Sequence, residues 1–279
     1  MAVEDRFYRA VVDALTRDQL NLPSLPEVAL RIGELSRRED VSIARLAEEI
    51  GRDPAMSVRL LRVANSAFAG SGRRVDTLAQ AVTRLGLQMT RLLVTGLAVE
   101  LMFVSRSPQA QERLRRTWVR STEVAALAQL LARHCTVLRP EIAMLAGLVH
   151  DIGVLPIVRL AEAEPGLCPT PAALEAVITR LRARVGRLVL QAWNFPEELL
   201  DVPYYSQDPY RNHAGAADYV DLVLVAALQS HAGGDDLLSR IDRHAVSAFA
   251  RLDLNPDIDV LEVADYQAEY DANRSGLAA

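Results

Sequence analysis

Lysine is absent from this chain: all 31 of its basic residues are arginine. That uniformity reads as a coding bias and carries no functional weight. An excess of positive charge is also missing. The formal net charge is −5, with a sequence pI near 5.6, which argues against a general nucleic-acid binder, whose balance is usually basic. Cysteine is scarce. Cys135 and Cys168 stand alone, with neither a CxxC motif nor a secretory signal, so disulfides are not expected and the cytoplasm is the expected compartment. No apolar run is expected to reach the roughly 18 residues needed to cross a bilayer. Aromatics make up only 5% of a chain that is 50% hydrophobic, and neither strand alternation nor an internal repeat is visible. What remains is rich in Ala, Leu and Arg, the composition of an all-α fold.

Helical spacing and punctuation divide the 279 residues. A first helix is expected over 4–20, then a break at Asn21–Pro26, with Pro26 opening the next helix under a cap from Ser24 or nearby. Ser42 caps a third helix that ends at Gly51 as its C′ residue, and Asp53-Pro54 opens a fourth as N-cap and N1. Periodicity resumes from Leu78 to Leu85, and an apolar helix is expected from Met89 to about Val104. Ser105–Pro108 marks the clearest boundary, giving segments 1–106, 107–232 and 233–279. Beyond it come helices over Gln109–His134, the apolar run Ala143–Pro156, Ala172–Trp193 and Asp218–His231. Glu162–Pro171 and Tyr204–Asn212 read as loops, and the acidic tail as a helical extension or a partly loose end.

The run Ala143–Pro156 delivers His150 and Asp151 side by side where its helix should stop. Imidazole and carboxylate both bind divalent cations. The same pair can equally cap the helix by satisfying its last carbonyls and nearby donors. Two ligands do not make a metal site, so the pair needs company to mean chemistry.

Two other constellations stand out. Residues 42–64 have the outline of a helix-turn-helix with Arg59 and Arg62 on the second helix. That helix opens on Asp53, Pro54, Ala55 and Met56, however, and base-edge readers want polar, groove-reaching side chains there. Nucleic acid is therefore not the expected partner. Arginines also crowd two helices, at 113, 115, 116 and 120 and at 180, 182, 184 and 187. They form either solvated faces paired with Glu112 and Glu123, or an anion pocket. Tyr204, Tyr205 and Tyr210 either pack their loop or anchor an interface.

Taken together, Leu22–Ile32, Ile50–Phe68 with its Asp53-Pro54 and Asn65-Ser66, Thr77–Gly86, Leu145–Leu155 and Val185–Leu199 resemble the HDOD family, the HD-related output domain of bacterial signalling proteins. The resemblance covers roughly residues 15–230. It implies an N-terminal helical subdomain packed on a helical part related to HD phosphohydrolases. The departures are informative. Where the related enzymes place metal-binding histidines, this chain has Arg120, Arg182, Ser206 and Gln207, and the late aspartate falls near Ala227. Only His150 and Asp151 stay in register, and His134, His213, His231 and His244 sit at no matching position. A metal that activates water needs about three protein ligands, and a guanidinium repels a cation beside it. If Arg120 or Arg182 faces Asp151, a salt bridge takes the place of the metal.

The reading is a non-catalytic regulatory module of signal transduction without a cofactor, acting on another signalling protein through contacts near Asp53–Phe68 or between the subdomains. Three alternatives accompany it: a metal-dependent phosphohydrolase or phosphodiesterase, a nucleotide sensor using Arg120 and Arg182, and DNA binding through residues 42–64.

Overall fold

Helices α1 (Val3–Thr16), α2 (Glu27–Leu35), α3 (Ile43–Gly51), α4 (Pro54–Ala67), α5 (Leu78–Leu85) and α6 (Leu87–Ala98) make up the first part of the computed structural model. It describes residues 3–16, 25–36, 38, 41–67, 74–166, 170–230, 241–262 and 266–277. The second part contains α7 (Pro108–Cys135), α8 (Pro140–Val149), α9 (Val154–Ala163), α10 (Pro171–Ala192), α11 (Glu197–Leu200), α12 (Val202–Tyr205) and α13 (Tyr219–Gln229). Two further helices follow, α14 (Ser247–Arg251) and α15 (Tyr266–Leu277). The described residues contain no strand, so the fold is all-α.

Local chemistry explains many of the starts. Ser42 accepts from the Arg45 amide, Asp53 from the Met56 amide at 3.0 Å, and Ser107 and Thr170 cap the two long helices ahead of Pro108 and Pro171. Thr77 and Gln80 form a reciprocal capping box on α5, and Asp218 and Asp221 form another on α13. The Asp53-Pro54 and Asn65 positions are structural clasps. Ser57 returns its hydroxyl to the carbonyls of Ile50 and Asp53. The Asn65 amide donates to the carbonyls of Leu61 and Val75 and accepts from the Val75 amide, tying α4 to the residues just before α5. Ser66 lies in α4, within the same block.

Several expected boundaries are corrected. Pro26 precedes α2 instead of starting it, and Ser24 lies outside the described residues. Gly51 is the last residue of α3, not a left-handed C′ residue, and Arg52 is the C-cap. The Met89–Val104 helix stops at Ala98 and tightens into a 3₁₀ turn over Val99–Met102. Helix α9 was not expected. Pro156 looks like a terminator but sits in the first turn of α9, where its missing N–H leaves nothing unpaired. Pro140–Ala163 forms a stretch of 24 residues long and apolar enough to span a bilayer, correcting the expectation that no such run exists; its apolar window is wholly buried inside the fold. The tail, expected as a helical extension or a partly loose end, carries α15, which lies against α7 and α4.

Glycines set the closest helix crossings. A Cβ on Gly147 of α8 would lie 2.4 Å from the Ala125 backbone of α7, and one on Gly96 of α6 would lie 2.3 Å from Leu145 of α8. A Cβ on Gly153 would lie 1.9 Å from the Arg182 carbonyl of α10. At Gly147 and Gly153 the neighbour is backbone and only glycine permits the approach; these two crossings bring α7 and α10 against the turn that carries His150 and Asp151.

Candidate functional site around His150 and Asp151

The turn 150–153 links α8 to α9, and both functional side chains point inward: His150 is 2% and Asp151 3% exposed. His150 Nδ1 lies 2.7 Å from the Gly147 carbonyl, so Nδ1 carries the proton and Nε2 is left as an acceptor. Nε2 lies 3.7 Å from Asp151 Oδ2. Burial pushes the imidazole pKa down, and Arg120 and Arg182 push the same way against the Asp151 charge and the Gly147 carbonyl; the ring is held neutral.

Asp151 has a partner on each oxygen. The Arg182 guanidinium donates to Oδ2 at 3.1 Å, and the Gln207 side-chain amide donates to Oδ1 at 3.2 Å. Arg182 also donates to the Gln207 carbonyl oxygen, which closes a triangle of side chains. Burial alone would raise the Asp151 pKa, but Arg182, His150, Arg120 and Arg113 outweigh it and hold the carboxyl well below the usual carboxylate range. The expectation that an arginine faces Asp151 is met by Arg182, in direct contact, while Arg120 acts on both members of the pair through its charge. His150 Nε2, Ser121 Oγ and Ser206 Oγ are buried without a hydrogen-bond partner among the described residues. Ala227 is buried on α13.

The remaining candidates lie elsewhere. Arg115 and Arg116 both pair with Glu112, Arg113 with Glu175, and Arg187 with Asp201, so these arginines are largely matched by acids. Arg180 lies over the Tyr8 ring at 4.0 Å, tying α1 to α10. Arg59, the residue a recognition helix would present, is buried and paired with Glu100, and Arg62 reaches the Ser275 carbonyl of α15 at 3.2 Å. Of the two arginines, Arg59 is therefore withdrawn from solvent, while Arg62 is exposed. Tyr204 and Tyr210 are exposed, whereas Tyr205 lies under Arg211 and against the Tyr204 edge.

One cluster was not anticipated. His213, Asp218 and Asp221 place three metal-competent groups together, but Arg211 lies 2.6 Å from Asp218 and 3.3 Å from Asp221, and Arg251 lies 3.4 Å from Asp221. With two guanidiniums on its carboxylates, the cluster staples residues 211–213 and α14 to the start of α13. His134 contacts Glu269 and His244 contacts Asp257, while His231 lies outside the described residues.

Residues 22–209 match the HDOD domain. This chain belongs to the HDOD family. Among solved structures, the HDOD chain is similar over its full length to a protein from Shewanella amazonensis whose name proposes a metal-dependent phosphohydrolase, at 29% identity, full coverage of both chains and a TM-score of 0.85. It shares its fold with an HDOD domain protein of unknown function from Geobacter sulfurreducens, at 22% identity, 99% coverage of each chain and a TM-score of 0.60. A relative from Treponema pallidum, itself uncharacterized, is 22% identical over 190 residues. That match takes 65% of this HDOD chain but only 36% of the relative's length.

Sequence reasoning placed Arg182 and Gln207 at former histidine positions and raised a salt bridge from Arg120 or Arg182 to Asp151, but did not foresee Gln207 on the other oxygen. The signal available was the pair Gly153 and Gly186. A Cβ on Gly153 would meet the backbone at Gly186 as well as Arg182, and one on Gly186 would meet Pro203 at 2.7 Å. Small residues on both sides mark the crossing that sets α10, and with it Arg182, beside Asp151.

Proposed function

We propose that this HDOD chain is a regulatory module that works through contacts with another signalling protein and does not catalyse hydrolysis. The observation that carries the reading is the occupancy of Asp151, with Arg182 on one oxygen and Gln207 on the other. A catalytic divalent cation needs about three protein ligands and an open position for water. Here His150 Nε2 and one shared carboxylate oxygen are the donors in register, and Arg120 and Arg182 bring positive charge to the same place. This donor set does not fit a divalent metal. A buried, hydrogen-bonded ion pair does fit it, and such a pair serves to fix structure.

The family membership supports a regulatory role, and the name of one structural relative keeps hydrolysis as the competing reading. The two separate cleanly in a phosphodiesterase assay with bis-p-nitrophenyl phosphate and common cyclic nucleotides, with manganese or ferrous iron supplied. The expected result is no turnover above buffer. Metal-dependent turnover that disappears in His150→Ala would overturn the proposal.

A further inference from the structure

Helices α7 and α8 pack as an antiparallel hairpin in which a Cβ on Gly147 would touch the backbone of Ala125. His150 lies one turn beyond Gly147. Ser121 lies one turn before Ala125 on the same stripe of α7, so Ser121 and His150 are level. From the other side, Gln207 reaches Asp151 Oδ1 at 3.2 Å, which brings the adjoining Ser206 to the same place. Ser121 and Ser206 are each 1% exposed. Neither hydroxyl has a hydrogen-bond partner among the described residues, and nor does His150 Nε2.

The His150–Asp151 pair adds a second observation. With Nδ1 donating to the Gly147 carbonyl at 2.7 Å, Nε2 of the neutral ring carries a lone pair. That lone pair faces a carboxylate oxygen 3.7 Å away. Two acceptors at this separation form no hydrogen bond and repel each other. Buried polar groups left over by the protein are commonly satisfied by ordered water, which makes about three hydrogen bonds.

We infer that His150, Asp151, Ser121 and Ser206 form a binding site for one ordered water. The water donates one hydrogen to Nε2 and the other to Oδ2, and the two serine hydroxyls donate to its oxygen. Its chemistry is the one that fits. A cation would meet the charges of Arg120 and Arg182, and an anion has no hydrogen to offer either acceptor. Water supplies two donors and two acceptors, and hydroxyls rotate to suit it. Arg182 keeps its own place on Oδ2 at 3.1 Å, so that oxygen accepts twice, within its capacity. The inference names what holds the imidazole edge in the closed site described above, and it does not depend on a protein partner.

The test is a high-resolution crystal structure of the unaltered chain, supported by nitrogen-15 spectra of the histidine-labelled protein. Density for one water should lie within about 3.2 Å of Nε2, Oδ2 and both serine hydroxyls. The spectra should show the ring protonated on Nδ1 alone at neutral pH. A dry contact, or an Nε2–H that donates directly to Asp151, overturns the inference. In Ser121→Ala/Ser206→Ala the water should lose most of its occupancy while Arg182 and Gln207 stay on Asp151. A water unmoved in that variant overturns the assigned donors. If the variant does not fold, magnetisation transfer from water to the His150 ring protons of the unaltered chain decides. A bound water gives cross-peaks with the sign of slow tumbling, and their absence overturns the site. A metal in its place, marked by anomalous scattering and contacts of about 2.1 Å, overturns this inference and the regulatory reading together. A dry site without metal overturns this inference alone.

Discussion

Replacing Arg182 by methionine removes one charge from a buried pair and leaves the other. Asp151 would keep Gln207 on Oδ1 but lose the guanidinium on Oδ2. Breaking a buried pair this way costs about 3–5 kcal/mol. The lower end applies, because Arg120 and Arg113 still act on the carboxylate and the Arg182 side chain is 19% exposed, which lets water in. A loss of roughly 3 kcal/mol corresponds to a midpoint drop of roughly 6–12 °C for a chain of this size. The pH dependence has a definite sign. Asp151 has a folded pKa below its unfolded value, so its contribution is complete above the unfolded value of about 3.9 and disappears as pH falls through the folded one. The gap between parent and Arg182→Met in urea denaturation should thus be widest at neutral pH and narrow toward strong acid. Adding Asp151→Asn to Arg182→Met removes the stranded charge and should recover more than half of the loss. A single variant within about 0.5 kcal/mol of the parent, the range of ordinary surface changes, refutes the clamp. So does a double variant no more stable than the single one.

Other consequences follow from particular contacts. Asn65→Ala removes a side chain that makes three hydrogen bonds, two with the Val75 backbone and one to the Leu61 carbonyl, and should cost about 1–3 kcal/mol with an unchanged denaturant slope. Gly153→Ala sets a methyl against the Arg182 carbonyl and should cost at least as much as the 1–3 kcal/mol of ordinary overpacking. Gly86→Ala meets open space at φ +79° and should cost only backbone strain, about 1–3 kcal/mol; thermal melts that show Gly153→Ala to be silent would contradict the crossing. His150 is neutral when folded and takes a proton when unfolded, so stability should fall as pH drops below about 6.5. His150→Gln should flatten that part of the curve, measured by urea midpoints across pH, and an unchanged slope would mean that the imidazole is accessible.

The helices were legible because their signals are local. Caps at Ser42, Asp53 and Thr170 and prolines at 54, 108 and 171 specify starts without reference to the rest of the fold. Helix α9 was missed because a glycine and a proline, locally terminators, are there for other reasons: Gly153 for a close crossing and Pro156 in a first turn. The candidate site was half legible. Motif order placed Arg120, Arg182, Ser206 and Gln207 near the His-Asp pair, but their mutual contacts depend on how α7, α10 and the turn after α12 converge. Arg59 shows the same limit. Its helical position suggested a solvent-facing reader, and only the packing of α4 against the turn holding Glu100 reveals it as a buried ion-pair partner.

The most direct measurement is elemental analysis of the purified protein after expression with manganese, iron and zinc available. The account predicts no metal at stoichiometric level and no change in content between the parent and His150→Ala. A metal near one equivalent that is lost in His150→Ala would contradict it, because Asp151 cannot hold Arg182 and a catalytic cation on the same oxygen.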